Sequence, residues 1–202
     1  MNLSLSLTFF KYVITLLLFF SVLSIATAVI LDTDGEPLVN GGRYFIVPQS
    51  IGIGGGLTRT LVTKITPCFY HITRDKNETF PGILVKISSP FEITVINPGL
   101  PIRITFDDRI IDFCMRSMTW RVFADKTTGQ SYVVTGGSVS QPSFTIEETQ
   151  EDTNVYKIKS ILDQKDVGFF EKDGLLGITN EIPLPVLFKK APTPPNFLAM
   201  KV

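Results

Sequence analysis

Val29-Ile30-Leu31-Asp32-Thr33-Asp34-Gly35-Glu36-Pro37-Leu38-Val39-Asn40-Gly41-Gly42-Arg43-Tyr44-Phe45-Ile46-Val47-Pro48 is the stretch on which the fold of this chain turns. Apolar, β-branched and aromatic runs alternate in it with Asp, Asn, Gly and Pro, so it reads as extended chain broken by turns. Asp32-Thr33-Asp34-Gly35 has the residue types that open a calcium loop. The later ligand positions and closing Glu of an EF-hand are missing, however, and a strand-ending turn is the better reading. Tyr44-Phe45-Ile46-Val47 is a strand that ends at Pro48.

The same pattern continues outward from this stretch. Gly82-Ile83-Leu84-Val85-Lys86-Ile87 ends at Ser88-Ser89-Pro90, and Ile93-Thr94-Val95-Ile96 ends at Asn97-Pro98-Gly99. Ile102-Arg103-Ile104-Thr105-Phe106 alternates apolar and polar residues, as a half-buried strand should. Trp120-Arg121-Val122-Phe123, Ser143-Phe144-Thr145-Ile146 and Tyr156-Lys157-Ile158-Lys159 do the same. Pro183 and Pro185 precede a last strand, Val186-Leu187-Phe188. Helix signals are nearly absent. Roughly a dozen short strands, with turns every ~8–12 residues, specify an all-β sandwich or barrel. Periodicity does not choose between the two. Internal repeats amount to loose echoes between aromatic strands at irregular spacing.

The ends bracket one domain. Residues 1–28 hold a single charge, Lys11, then an almost unbroken apolar run from Tyr12 to Val22, then Ala26-Thr27-Ala28, a pattern that signal peptidase accepts. The run falls short of the ~20 apolar residues of a membrane span, which favours a cleaved signal peptide over an N-terminal anchor. The mature chain is then expected to start at Val29 and to be secreted, or delivered to the vacuole by the same pathway. Residues 29–190 suffice for one domain with its own core. The segment 191–202 opens with Ala191-Pro192-Thr193-Pro194-Pro195 and reads as an extended Pro-rich tail.

Composition narrows the partners. The chain has 19 basic and 19 acidic residues, and without Lys11 the remainder carries one net negative charge. With no basic patch, nucleic acid is not an expected partner. With no lysine-rich amphipathic helix, neither is a membrane surface. The two cysteines, Cys68 and Cys114, can pair only with each other in an oxidising compartment, closing a loop worth about 4 kcal/mol of chain entropy. Free thiols or a metal pair are the alternatives. A single histidine, His71, without clustered Cys or Asp gives a metal site little support, and no cofactor is expected. Nothing marks a nucleophile partnered with His71, so catalysis is not expected. Gly52-Ile53-Gly54-Gly55-Gly56 lacks the following Lys-Ser/Thr and helix of a phosphate cradle and reads as a loop. Asn77-Glu78-Thr79 is an acceptor sequon for N-glycosylation in a secreted protein.

The opening stretch closely resembles the N-terminal signature of the plant Kunitz inhibitors, the soybean trypsin inhibitor family. The features shared are D-x-D-G-x-P-L at Asp32–Leu38, Asn40-Gly41-Gly42, and an aromatic strand closed by proline. Later pieces follow in order: the glycine-rich 52–56, Cys68, Ile87-Ser88-Ser89-Pro90-Phe91, Cys114, Thr119-Trp120, Tyr156-Lys157 and Val167-Gly168. The resemblance spans the mature chain. It implies a β-trefoil of twelve short strands in three units, a single disulfide between Cys68 and Cys114, and a protease inhibitor of plant defence acting as a monomer.

The resemblance also implies a site. In such inhibitors a rigid, substrate-like loop follows the Ser-Ser-Pro-aromatic segment, here Ser89-Pro90-Phe91-Glu92-Ile93-Thr94, and an asparagine, here Asn40, props it from beneath. Serine proteases are the default targets. The residue offered to the specificity pocket, P1, is then Glu92. A trypsin-like pocket carries an aspartate that demands Arg or Lys, so trypsin inhibition should be weak or absent. A register one residue earlier would offer Phe91 to an apolar pocket. Where relatives have another disulfide, this chain has Ser160, and the third unit should be looser. Arg116-Ser117, just after Cys114, is a candidate secondary site for trypsin. The alternative function is a binding protein on the same scaffold, directed at cysteine or aspartic proteases or non-inhibitory, as in miraculin-like and storage members.

Overall fold

The computed structural model describes residues 11–14, 28–50, 52, 54–62, 69–107, 117–149 and 154–192. Residues 11–14 form a helical turn. The remainder holds twelve strands. The first unit contains β1 (Gly42–Pro48), β2 (Leu57–Leu61), β3 (Tyr70–Arg74) and β4 (Val85–Ser88). The second contains β5 (Arg103–Phe106), β6 (Arg121–Ala124), β7 (Ser131–Val134) and β8 (Phe144–Glu148). The third contains β9 (Tyr156–Ser160), β10 (Asp166–Phe170), β11 (Leu175–Thr179) and β12 (Val186–Lys190).

Strand pairing turns "sandwich or barrel" into one answer. β1 pairs with β4, β4 with β5, β8 with β9, β9 with β12 and β12 with β1, all antiparallel. Ile102, just before β5, bridges Phe144 of β8 and closes the ring. Six strands therefore form a barrel without a free edge. The other six form three hairpins, β2–β3, β6–β7 and β10–β11. Their second strands meet one another, β3 with β7, β7 with β11 and β11 with β3. This triangle caps one end of the barrel, and the whole is a β-trefoil.

The barrel is filled by the alternation already visible in the sequence. Each barrel strand sends two side chains inward: Tyr44 and Ile46, Val85 and Ile87, Ile104 and Phe106, Phe144 and Ile146, Tyr156 and Ile158, Val186 and Phe188. All twelve are at most 3% exposed. At about 1.5–3 kcal/mol for each large apolar side chain, this layer is the main favourable contribution. Leu57, Ile72, Trp120, Val133, Val167 and Leu176 of the cap region join the same cluster.

The uncapped end is plugged by the segment before β1. Ile30, Leu38 and Ile96 are fully buried there. They are laced by Ile30 N to Ile96 O at 3.2 Å, Leu38 N to Ile30 O at 2.8 Å and Ile96 N to Leu38 O at 2.8 Å. Asp32 is buried, and its Oδ1 accepts from the amides of Asp34 (2.9 Å) and Glu36 (3.0 Å), so Asp32–Gly35 is a turn held by its own side chain.

Three departures from the expected strand bounds have a clear physical cause. The run from Gly82 is ladder-bonded only over β4, because Ile83 N turns to Leu57 O instead. Pro48 belongs to β1 and pairs with Val186; at the strand's end its missing N–H costs no ladder bond. Ile93–Ile96 is not a strand: it bends at Thr94 and bridges only once, Val95 to Val39, since the partner segment bends at Asp32–Gly35 and again at Asn40–Gly42.

His71 sits on β3 between Thr60 and Val134 and is fully buried. It meets the Tyr132 ring edge-on at 5.4 Å, and neither ring nitrogen has a hydrogen-bond partner among the described residues. Burial pushes its pKa below the ordinary value, against an opposing pull from Asp173 and Asp125. As pH falls, the unfolded chain therefore takes up the proton first. The stability this site contributes is full above about pH 6.5 and is lost progressively below it. Thermal unfolding between about pH 7.5 and about pH 5 should show a smaller pH-dependent loss in His71→Leu than in the wild type. Equal losses would contradict a neutral buried imidazole.

Candidate functional site

Loop 89–94 leaves β4 at the uncapped end, and the segment before β1 lies under it. A turn over Val39–Gly42 aims Asn40 at the loop. Gly42 N donates to Val39 O at 2.9 Å, and Gly41, third in the turn, has φ +80°. That is the type II arrangement, which favours glycine at this position. Gly42 is needed for room: a Cβ there would lie 2.7 Å from the Tyr44 ring and 2.8 Å from Val39 O. The Tyr44 hydroxyl accepts from Val39 N at 2.8 Å, and burial pushes its pKa up, keeping it a neutral phenol.

From this fixed turn Asn40 makes four hydrogen bonds to the loop. Its Oδ1 accepts from Ser89 N at 2.8 Å. Its Nδ2 donates to Phe91 O at 3.2 Å and to Ile93 O at 3.1 Å. Its own main-chain amide donates to Thr94 O at 2.9 Å. Within the loop, Ile93 N donates to Phe91 O at 2.9 Å, a three-residue turn centred on Glu92, and Phe91 N donates to Ser89 Oγ at 3.3 Å.

The loop is thus anchored below and open above. Ser89 is 6% exposed and Ile93 packs against the core, whereas Pro90, Glu92 and Thr94 are exposed and Phe91 is 51% exposed. Glu92 stands at the apex between two carbonyls that are both held by Asn40. Among the described residues, nothing donates to the Glu92 carbonyl, and its carboxylate has no ion pair. This arrangement can present one peptide bond, preshaped, to another molecule.

The structure brings Asn40 and residues 89–94 together; the other described candidates lie elsewhere. Asn77 is exposed in the connection before β4, whereas loop 89–94 follows β4, so the two flank opposite ends of that strand. Asn77 Oδ1 accepts from Thr79 N (3.1 Å) and Thr79 Oγ1 (2.8 Å). Ser117 is half-buried, with its hydroxyl bonded to Thr119 Oγ1 at 2.8 Å and its carbonyl accepting from Gly136 N at 2.7 Å. Arg116, Cys68 and Cys114 lie outside the described residues. Ser160 is buried and closes its own turn, donating to Asp163 Oδ2 at 2.6 Å. Among the described residues no group of three or more His, Cys, Asp or Glu could hold a metal ion. Gly41, Gly42 and Tyr44, which set the angle of Asn40, stood out in the sequence only as parts of the opening signature, with no role in the site. The Asn-Gly-Gly run was their only local signal.

Several known proteins are similar to this chain over most of its length. The legume Kunitz family model, described as trypsin and protease inhibitor, matches residues 30–190. An alpha-amylase/subtilisin inhibitor of Oryza sativa subsp. japonica is 31% identical over 188 residues, 86% of this chain and 90% of that protein. Soybean trypsin inhibitor, solved in complex with porcine pancreatic trypsin, is similar with a TM-score of 0.68 and 28% identity, over 81% of this chain and 99% of the other. The water-soluble chlorophyll protein of Brassica oleracea var. Botrytis, solved with chlorophyll b, has a TM-score of 0.72 and 25% identity, over 82% and 99%. The chain therefore belongs to the plant Kunitz-type family of trypsin and protease inhibitors, whose members are inhibitors rather than enzymes.

Proposed function

We propose that this protein is a secreted endopeptidase inhibitor that offers loop 89–94 to a serine protease as a substrate bound well and released uncut. The observation that carries this reading is the bracket around Glu92. Both neighbouring carbonyls are bonded to Asn40, while the Glu92 carbonyl is left open among the described residues. A protease needs such a carbonyl within reach of its oxyanion donors, in a chain already held in the attacked shape.

The same tethering is expected to make the loop resist cleavage. Attack of the protease serine oxygen on the Glu92 carbonyl carbon would break the bond to Ile93 and pass a proton to the new amine. Ile93 O stays on Asn40 Nδ2, Thr94 O on Asn40 N and Val95 on Val39. The amine therefore remains beside the acyl carbon, and the bond reforms faster than the halves separate. With Glu92 at P1, a trypsin-like pocket is disfavoured by an unpaired buried charge, which costs roughly 3–5 kcal/mol. Trypsin inhibition by the natural loop is accordingly weak or absent.

The protein acts as a monomer on one protease at a time. Passage through the secretory pathway makes Asn77 a glycan acceptor, and a glycan before β4 leaves loop 89–94 uncovered. Protein secreted from a plant or yeast host should lose a glycan-sized mass in Asn77→Gln, and equal masses would remove this modification. A second reading, a binding protein without serine protease inhibition, is favoured by the acidic apex and by the likeness to a chlorophyll protein.

The test is a titration of the mature protein against serine, cysteine and aspartic proteases beside Glu92→Arg. The variant should inhibit trypsin at least ~100-fold more strongly than the wild type, since Arg pairs with the pocket aspartate. If neither form inhibits any member of the panel, the inhibitor reading fails. In the Glu92→Arg background, adding Asn40→Ala removes three side-chain hydrogen bonds of about 1 kcal/mol each. It should weaken inhibition by roughly 10–100-fold and expose the bond after residue 92 to slow cutting, with a folded, cooperatively melting core. Undiminished inhibition would show that Asn40 does not support the loop.

A further inference from the structure

We infer that the partner is a serine endopeptidase with a cationic primary pocket, one that cleaves after glutamate. This rests on the reading of loop 89–94 as the inhibitory contact, and names the protease class that the loop fits.

The register is set by hydrogen bonding. An attacked carbonyl must be free to enter an oxyanion hole. Phe91 O already accepts from Asn40 Nδ2 at 3.2 Å and from Ile93 N at 2.9 Å. Ile93 O accepts from Asn40 Nδ2 at 3.1 Å. Between them, the Glu92 carbonyl receives nothing among the described residues. The register that would offer Phe91 to an apolar pocket thus requires breaking two bonds that hold the loop, whereas the Glu92 register breaks none.

Charge then selects the pocket. Glu92 is the one ionisable residue of Ser89-Pro90-Phe91-Glu92-Ile93-Thr94. It is exposed and without an ion-pair partner among the described residues, so no bond within the inhibitor must break for it to leave water. Burying a carboxylate is unfavourable in an apolar pocket and worse beside an aspartate. It is favourable only where Arg, Lys or protonated His supplies the opposite charge and hydrogen bonds to both oxygens. The uncharged flanks leave this one carboxylate to discriminate between proteases.

The experiment measures inhibition of three enzymes: a serine endopeptidase specific for glutamate, assayed on a chromogenic peptide ending in Glu, together with trypsin and chymotrypsin. The inhibitors are the wild type, Glu92→Gln and Glu92→Arg, each checked for an unchanged melting transition. The wild type should inhibit the glutamate-specific enzyme and neither of the others. Glu92→Gln, which keeps the shape and removes the charge, should lose about 100-fold against that enzyme. Glu92→Arg should transfer inhibition to trypsin. If the wild type leaves the glutamate-specific enzyme untouched while Glu92→Arg inhibits trypsin, the partner inference is overturned and the inhibitory loop stands. The inference also falls if Glu92→Gln inhibits as well as the wild type, or if the wild type inhibits chymotrypsin instead. If neither the wild type nor Glu92→Arg inhibits any of the three, both the inference and the inhibitory loop fall.

Discussion

Among the described residues, the carboxamide of Asn40 is the one group that hydrogen-bonds to both sides of the exposed loop. Its oxygen takes the amide of Ser89 on the incoming side, and its nitrogen takes the carbonyls of Phe91 and Ile93 around the apex. Three such bonds amount to about 3 kcal/mol. Fixing the backbone of a six-residue loop costs about 1–2 kcal/mol per residue, more than Asn40 supplies. The remainder comes from restraints that act on the same segment: the fixed φ of Pro90, burial of Ser89, packing of Ile93 on the core, and the Val39–Val95 bridge. Asn40 therefore selects one shape from a loop that its surroundings have already confined. Asn40 is itself confined by Gly41 at φ +80° and by the Tyr44 ring packed against Gly42.

The strands of the barrel were legible in the sequence and those of the cap, β6 apart, were not, for a physical reason. β1, β8 and β9 have one face in the core and the other near solvent, so inward residues recur at every second position. The hairpin strands β3, β7 and β11 pack against one another across the three-fold axis and bury adjacent residues, as in Tyr132-Val133-Val134 and Leu175-Leu176-Gly177. A period-two reading passes over such segments. The three-fold order was hidden differently. Its inward pairs are Tyr and Ile, then Ile and Phe, then Tyr and Ile on the first strand of each unit, and Val and Ile, Phe and Ile, Val and Phe on the fourth. The barrel requires apolar volume at these positions, not a repeated residue, so only loose echoes survive in the sequence.

The site was legible only through resemblance. Asn40 and Phe91 are 51 residues apart, and a hydrogen bond across that separation leaves no periodic trace. The Asp32–Gly35 and Asn40–Gly42 turns are local, and residue types mark both. The consequence of the second, an amide aimed at a distant loop, requires the closed barrel that brings β1 beside β4. Ser160 shows a comparable substitution of means. At a place where relatives often have a cysteine, it closes the 160–164 turn through Asp163 Oδ2, Asp163 N and Gln164 N. These bonds hold only a local turn. They do not restrict the unfolded chain as a disulfide would.

Stability and recognition are separated within this loop. Everything that holds residues 89–94 acts on main-chain atoms or on Ser89 and Ile93, and nothing among the described residues uses the Glu92 side chain. Exchange of an exposed side chain without partners changes folding by roughly 0.5 kcal/mol or less. The same exchange inside a protease pocket changes binding by several-fold more, because there the side chain is desolvated and either paired or not. Residue 92 can therefore vary almost independently of the barrel, whereas Asn40, Gly41 and Gly42 cannot. A fold shared by a trypsin-bound inhibitor and a chlorophyll-bound protein is compatible with this separation. In the inhibitory reading proposed above, the scaffold fixes the backbone around residue 92, and the identity of that residue, here a carboxylate without an ion pair among the described residues, determines which pocket can receive it.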